Sequence, residues 1–108
     1  MSVQFVGRSD VPRFLVGIVV MLPPDMPADE RSALLEREAR RAGDLMESGV
    51  IRDIWRVPGR LENVGVWEAQ NATALHDAIS SLPVWPWTRV TVTPLANHYL
   101  TRDPEPTT

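Results

Sequence analysis

The segment from Pro27 to Ser48 is the longest helical pattern in the chain, and it constrains the fold more than any other part. Acidic residues follow Pro27 in the first turn, and Gly49 takes the position at which many helices end. Five apolar residues share one stripe of this helix, and they are Leu34, Leu35, Ala42, Leu45 and Met46. Glu38 lies near the centre of the same stripe. The sequence therefore predicts a carboxylate directed towards the core.

Four strands and a second helix are predicted around this element. β-branched or alternating stretches bounded by Pro and Gly turns predict strands over 14–22, 51–57, 61–68 and 89–95. A shorter helix over 72–81 carries a buried stripe of Leu75, Ile79 and Leu82, and either Asn71 or Thr73 can cap it. The order βαββαβ predicts a ferredoxin-like α+β fold, in which two helices cover one face of a four-stranded antiparallel sheet.

The other face of that sheet has no cover from the chain itself. The first strand, 14–22, is apolar on both faces, and each arm of the hairpin carries an indole, Trp55 and Trp67. We therefore expect the open face to pack on a second subunit, as in dimeric α+β barrels, and the protein to be an obligate homo-oligomer. Residues 1–12 are predicted to form an N-terminal arm, 13–100 the domain, and 101–108 a flexible tail.

Composition excludes several classes of function. The 108 residues carry a net charge of −3, and their basic residues alternate with acids, so a nucleic-acid surface is not expected. The chain has no cysteine and no lysine, which removes thiol and Schiff-base chemistry. No apolar run is long enough to span a membrane and no secretory signal is present, so a cytoplasmic protein is expected.

Glu38 is the leading candidate for chemistry. Burial disfavours the charged form of a carboxylate, which makes it a usable base near neutral pH. The alternative is a structural ion pair with a nearby guanidinium, and the candidates are Arg41, Arg52 and Arg56. Periodicity alone leaves both interpretations open, because structural networks also perturb pKa values.

The remaining polar residues carry weaker signals. Asn63, Gly65 and Trp67 share one face of the third strand and suggest a pocket wall made of an amide, a gap and an indole. His76 lies at the margin of the second helix, where it is either a base or a packing residue. Neither His76 nor His98 has a second ligand at helical spacing, so no metal site is predicted.

The spacing of certain residues resembles the muconolactone delta-isomerase family. The resemblance runs from Phe14 to about His98 without a gap. It is carried by Leu22-Pro23, Asp25-Met26, Glu38, Trp55-Arg56, Gly59, Asn63, Ala74-Leu75-His76-Asp77, Leu82-Pro83, Pro86 and His98. This resemblance implies a cofactor-free enzyme of the β-ketoadipate pathway of aromatic catabolism. It also implies a ferredoxin-like subunit assembled into rings, typically decamers, with the pocket between the first helix and the sheet.

The resemblance implies a particular reaction and particular roles. The family moves a ring double bond by a 1,3-proton shift through a dienolate, which needs one base and one donor for the dienolate oxygen. Glu38 fits the base, and Asn63, Trp55 or Arg56 could hold that oxygen or a substrate carboxylate. His76 is retained as a second catalytic candidate.

One strand departs from the family pattern. Where the family usually has Tyr-Ala-Asn-Tyr-Ser, this chain has Leu61-Glu62-Asn63-Val64-Gly65, which predicts a less polar and wider pocket. Three interpretations follow: an isomerase of muconolactone or a similar small lactone, a tailoring isomerase or cyclase acting on a larger apolar intermediate, and a non-catalytic binding oligomer. Leu61, Val64 and Gly65 favour the second, and Leu61 and Gly65 are counted with the pocket residues.

Overall fold

The computed structural model describes residues 11–100, so most of the predicted N-terminal arm and the whole predicted tail lie outside the described residues. The elements are β1 Arg13–Val20, α1 Ala28–Glu47, β2 Ile51–Arg56, β3 Glu62–Glu68, α2 Ala72–Ser80 and β4 Thr88–Leu95. A 3-10 turn, Trp85–Trp87, connects α2 to β4. The predicted order of elements is confirmed, and its boundaries differ from prediction by one or two residues.

The four strands form one antiparallel sheet in the order β2-β3-β1-β4. In β1, Phe14, Val16 and Ile18 point to the side covered by the helices and are buried, whereas Leu15 points to the other side and is 37% exposed. β1 is therefore buried on one face only within a single chain. The second face of β1 is also apolar, and for this reason the sequence predicted burial on both sides. In a single chain this second face is exposed to solvent.

The core occupies the space between the sheet and the two helices. Its buried members are Phe14, Val16, Ile18, Leu45, Ile51, Trp67, Ala69, Leu75, Ile79 and Leu82. The predicted stripe of α2 is confirmed in full, because all three of its apolar residues belong to this set. The stripe of α1 is narrower than predicted: Leu34 and Leu45 are buried, while Leu35 and Met46 stay nearly half exposed because only one edge of α1 meets the sheet.

Local sequence explains where the helices begin and end. Pro27 is the N-cap of α1 at φ −56°, and Gly49 follows the helix at φ +85°, a left-handed conformation that glycine adopts without steric cost. In α2 the Asn71 side chain accepts a hydrogen bond of 2.8 Å from the backbone N–H of Ala74. Asn71 is therefore the cap, and the alternative of Thr73 is excluded.

The two hairpin indoles lie on opposite faces of the sheet. Trp67 points to the helices and is 0% exposed, while Trp55 points to the open face and is 53% exposed. The expectation that both indoles would serve the open face is therefore wrong for Trp67. No helix within residues 11–100 is both long enough and apolar enough to cross a membrane.

Candidate active site

Glu38 lies at a cavity of about 310 Å³ between α1, the end of β1 and the β2–β3 hairpin. The cavity is open to solvent on one side and has both apolar and charged walls. It is lined by Ile18, Val20, Leu22, Arg31, Leu35, Glu38, Arg56, Leu61, Glu62, Asn63 and Val84. This volume is at the small end of the range for ligand pockets, which begins at roughly 300 Å³.

The Glu38 carboxylate is held by a backbone group and not by a cation. Its Oε1 accepts a hydrogen bond of 3.1 Å from the N–H of Val84, which lies in the turn after α2. Burial raises the pKa of the Glu38 carboxyl above its ordinary value, and the hydrogen bond from Val84 lowers that pKa in part. A carboxylate with a raised pKa inside a cavity can take and return a proton near neutral pH.

The ion pair considered for Glu38 is not found among residues 11–100. Arg41 instead donates from Nε to Ser81 Oγ at 2.9 Å, and Arg52 Nε lies 3.9 Å from Glu68 Oε2. Arg56 lines the same cavity as Glu38 without an ion pair to it within the described chain. Within residues 11–100, the alternative of a structural ion pair at Glu38 therefore lacks its partner.

Glu68 shows what a paired carboxylate looks like in this protein. Its Oε2 accepts a hydrogen bond of 3.0 Å from Arg13 Nε, with Arg52 on the same oxygen at 3.9 Å. Two guanidinium groups therefore lie beside one oxygen of Glu68. Within residues 11–100 Glu38 has no such cation, which separates the candidate base from a structural acid.

Asn63 supplies the second polar feature of the cavity. Its Oδ1 is buried and has no hydrogen-bond partner within residues 11–100. An unpaired buried polar atom costs roughly 1–3 kcal/mol, and a bound ligand that supplies a partner offsets that cost. The Oδ1 of Asn63 is therefore prepared for a ligand group that donates a hydrogen bond.

Four of the predicted site residues come together, and four do not. Glu38, Arg56, Leu61 and Asn63 line the one cavity. The others lie elsewhere: Trp55 on the open sheet face, Trp67 in the core, Gly65 against the backbone of β2, and His76 on α2. Of the three residues inferred as a pocket wall on β3, only Asn63 lines this cavity.

Gly65 is explained by strand packing. A Cβ built at this position would lie 2.5 Å from the carbonyl oxygen of Asp53 and 3.4 Å from Cα of Ile54, both in β2. A β-bulge between Ile51 and Asp53 brings the β2 backbone close to the glycine. The gap predicted at Gly65 is occupied by β2 and does not widen the cavity.

His76 belongs to a different part of the molecule. It lines a separate apolar cavity of about 380 Å³ between α2 and β4, and its ring makes an edge contact with Trp85 at a centroid distance of 5.7 Å. This cavity and the Glu38 cavity share no lining residue. In addition, residues 11–100 hold no group of three or more side chains that could bind a metal ion.

Sequence reasoning missed several residues of the site, among them Arg31 and Val84. Arg31 lies seven residues before Glu38, so helical spacing puts both on one face of α1, and this signal was available. Val84 lies 46 residues after Glu38 in the sequence and contributes its backbone N–H. No pattern of side chains predicts such a contact. Arg31 adds a second guanidinium to the cavity, and its Nη2 makes a long contact of 3.4 Å with the carbonyl oxygen of Pro23.

Fold and site together define a small ferredoxin-like α+β protein whose open pocket holds a carboxylate without an ion pair among residues 11–100. The family model of muconolactone delta-isomerase matches residues 13–100. The chain belongs to the muconolactone delta-isomerase family, as its resemblance to that family predicted.

Individual relatives agree with this assignment. Muconolactone Delta-isomerase 2 of Acinetobacter lwoffii is 36% identical over 85 residues, which cover 79% of this chain and 88% of that protein. The muconolactone delta-isomerase of Cupriavidus pinatubonensis is 35% identical over 79% of this chain and 92% of its own length. A crystal structure of muconolactone isomerase at 3.3 Å resolution matches with a TM-score of 0.76 at 32% identity, covering 81% of this chain and 91% of that chain.

Proposed function

We propose that this protein isomerises muconolactone, or a closely related small unsaturated lactone, by moving the ring double bond. The observation that carries the proposal is Glu38, a half-buried carboxylate without an ion pair among the described residues, placed at a cavity of about 310 Å³. Relatives that match most of the chain are named for this activity. The assignment of muconolactone as substrate is drawn from those names.

The reaction requires one proton to leave and one to return. Glu38 takes the proton from the ring carbon γ to the lactone carbonyl, and the electrons of that C–H bond spread into a dienolate. The same carboxyl then returns a proton to the α carbon, so the double bond moves and Glu38 is ionised again. A raised pKa suits both halves of this cycle, because the group must accept and release a proton at similar pH.

The other polar residues of the cavity take binding roles in this scheme. The side-chain amide of Asn63 can donate to the developing dienolate oxygen, and a donor of this kind is worth about 3 kcal/mol of barrier. Arg56 and Arg31 line the same cavity and can hold the substrate carboxylate, for which the planar guanidinium is well suited. All chemistry in this scheme is proton transfer, so no cofactor is invoked.

The two alternative functions have less support from the geometry. Of the residues that favoured a larger apolar substrate, Leu61 is 70% exposed at the cavity, Val64 points to the open sheet face, and Gly65 is covered by β2. A cavity of about 310 Å³ suits a five-membered lactone better than a polycyclic intermediate. The scaffold hypothesis expected Glu38 to be ion-paired beside no cavity, and neither condition holds among residues 11–100.

We also infer that the working form is a homo-oligomer. The open sheet face carries Leu15 and Trp55 exposed to solvent, together with the outward side chains of β3. A second copy of the chain is the partner that this face suits, because a symmetric contact would bury the same apolar residues twice. A cytoplasmic location agrees with this proposal.

Turnover of muconolactone in D₂O, followed by proton NMR, tests the proposed function. The wild-type protein is expected to shift the double bond and to incorporate deuterium at the α carbon. Glu38→Gln should lower kcat by about 10²- to 10⁴-fold because it removes the base. The matched control is Glu36→Gln, an exposed glutamate on the outer face of α1, which should leave the rate unchanged.

Two results would overturn the proposal. Unchanged turnover in Glu38→Gln would remove Glu38 from the chemistry. Absence of both bond migration and deuterium exchange in the wild-type protein would exclude muconolactone and redirect the search to larger lactones.

A further inference from the structure

The turn between α2 and the 3-10 helix brings one backbone amide into the Glu38 cavity. Val84 is 1% exposed, and its N–H is the amide that follows Pro83, which has no N–H of its own. A buried backbone N–H needs a hydrogen-bond partner, and this one uses the carboxylate of Glu38 at 3.1 Å. Within residues 11–100 the acceptor of this amide is thus the candidate catalytic group.

The same turn is attached to α1 at a second point. Arg41, one helical turn after Glu38, donates from Nε to Ser81 Oγ at 2.9 Å. Ser81 and Val84 are three residues apart in the turn. Glu38 and Arg41, one helical turn apart on α1, therefore each form a hydrogen bond with the segment 81–84. This double attachment fixes the turn relative to the helix that carries the base.

The contact from Val84 distinguishes the two oxygens of Glu38. Oε1 accepts the backbone hydrogen bond, while Oε2 has no hydrogen-bond partner within residues 11–100. We propose that the backbone N–H of Val84 is a positioning group, which fixes the Glu38 carboxylate through Oε1 and leaves Oε2 to exchange the substrate proton. This inference rests on the proposed function of Glu38 as the base.

The contact also affects the charge state of Glu38. Burial raises the pKa of this carboxyl, and the hydrogen bond from Val84 opposes the increase because it favours the ionised form. The other charged groups that face the cavity are Arg31 from α1, Arg56 from β2 and Glu62 from β3. Glu62 lies 3.3 Å from Arg60, and within residues 11–100 none of these groups forms an ion pair with Glu38.

Val84→Pro removes the N–H. Val84 has φ −82°, close to the value that proline imposes, but it is the third residue of the turn that the Trp85 N–H closes on the Leu82 carbonyl at 2.9 Å, and proline at this position disfavours the turn conformation of Pro83. Without the hydrogen bond, the pKa of Glu38 should rise further, and the acid limb of the kcat/KM profile should move to higher pH. We expect kcat to fall about 10- to 100-fold, with a smaller change in KM, because the base is no longer oriented.

Val84→Ala is the matched control for packing. It removes most of the side chain but keeps the N–H. The acid limb of its kcat/KM profile should therefore stay at the wild-type pH, even where its kcat differs from that of wild type. A folded Val84→Pro protein with the wild-type acid limb and the wild-type Glu38 titration would overturn the proposal.

A measurement on unmodified backbone covers the case in which Val84→Pro fails to fold. In a ¹⁵N-labelled wild-type protein, the amide proton of Val84 should shift downfield as Glu38 ionises, with the same midpoint as the Glu38 carboxyl carbon. In Glu38→Gln that shift should disappear. A Val84 amide that does not respond to the ionisation of Glu38 in the wild-type protein would overturn the inference.

The NMR titration also separates this inference from the proposed function. It needs no substrate, so it reports on the Val84 contact even if muconolactone is not turned over. Conversely, normal turnover together with a Val84 amide shift that does not follow the ionisation of Glu38 would reject the positioning role and leave Glu38 as the base.

Discussion

Glu38 and Glu68 are two carboxylates of one small protein with opposite surroundings. Glu68 is neutralised by Arg13 at 3.0 Å, whereas Glu38 meets a single backbone N–H and a cavity. Keeping a half-buried carboxylate without a cation works against folding, because desolvation penalises its charge. Such a cost at one residue is typical of a functional site and not of a packing residue.

This cost makes a prediction about stability and pH. The folded-state pKa of Glu38 is raised above its unfolded value, so its contribution to stability is fully present below the unfolded pKa and is lost as pH rises through the folded pKa. Glu38→Gln carries no charge and keeps an acceptor for Val84. The variant should therefore gain stability relative to wild type as pH rises above the unfolded pKa of a glutamate, about 4.3.

Urea denaturation at several pH values measures this difference. Glu36→Gln serves as the control, and its difference from wild type should not follow the same course, since Glu36 is exposed. A Glu38→Gln variant that loses stability relative to wild type with rising pH would mean that the charged form of Glu38 is favoured in the fold.

Among the elements, the β2–β3 hairpin decides which residues reach the site. Ile51 pairs with Trp67, but Asp53 pairs with Val66, so a bulge shifts the register by one residue. Because side chains alternate with period two, this shift turns Trp55 to the open face and Arg56 to the helix side. The bulge therefore places Arg56 at the cavity that Glu38 also lines.

Two glycines give contrasting predictions for the elements that contain them. Gly65→Ala places a Cβ 2.5 Å from the carbonyl oxygen of Asp53, and a backbone atom in a sheet cannot move away cheaply. The substitution should lower the free energy of unfolding by about 1–3 kcal/mol. Gly43→Ala in α1 meets no atom within 4 Å and should raise it by about 0.5–1 kcal/mol.

Chemical denaturation of the two variants beside wild type tests the pair. The opposite signs matter more than the magnitudes, since both changes add one methyl group. Equal stability of Gly65→Ala and wild type would show that β2 does not press on β3 at this position.

At the scale of the whole molecule, the open sheet face is an apolar surface that neither helix of residues 11–100 covers. It holds Leu15 at the centre of the sheet, with Val66 and Thr93 opposite it on the neighbouring strands, and Trp55 near one edge. A sheet with helices on one face and an apolar second face needs a second layer. The inferred oligomer provides that layer from another copy of the chain.

Leu15→Glu tests this inference because it places a charge at the centre of the open face. Light scattering after gel filtration should show wild type as an oligomer and Leu15→Glu shifted towards the single-subunit mass of 12.1 kDa. Met46→Glu is the matched control, because Met46 is similarly exposed but lies on α1. A wild-type protein that elutes at the mass of one subunit would contradict the inferred assembly.

Local patterns in the sequence were sufficient for the order of elements, the ends of both helices and the anomaly at position 38. Period and capping act over a few residues, so the inward position of Glu38 and a cap at Asn71 or Thr73 could be predicted from neighbouring residues alone. The family resemblance also indicated that Glu38, Arg56 and Asn63 belong together, and the three line one cavity.

Only the tertiary structure decided what surrounds Glu38. Its partner is a backbone N–H 46 residues away, and a backbone donor leaves no mark in the identity of Val84. The hairpin bulge, which a continuous strand pattern does not reveal, fixed the opposite faces of Trp55 and Trp67 and the need for Gly65. Sequence periodicity placed the carboxylate on the inner side of its helix; long-range packing put it beside a cavity and, within residues 11–100, gave it no ion pair.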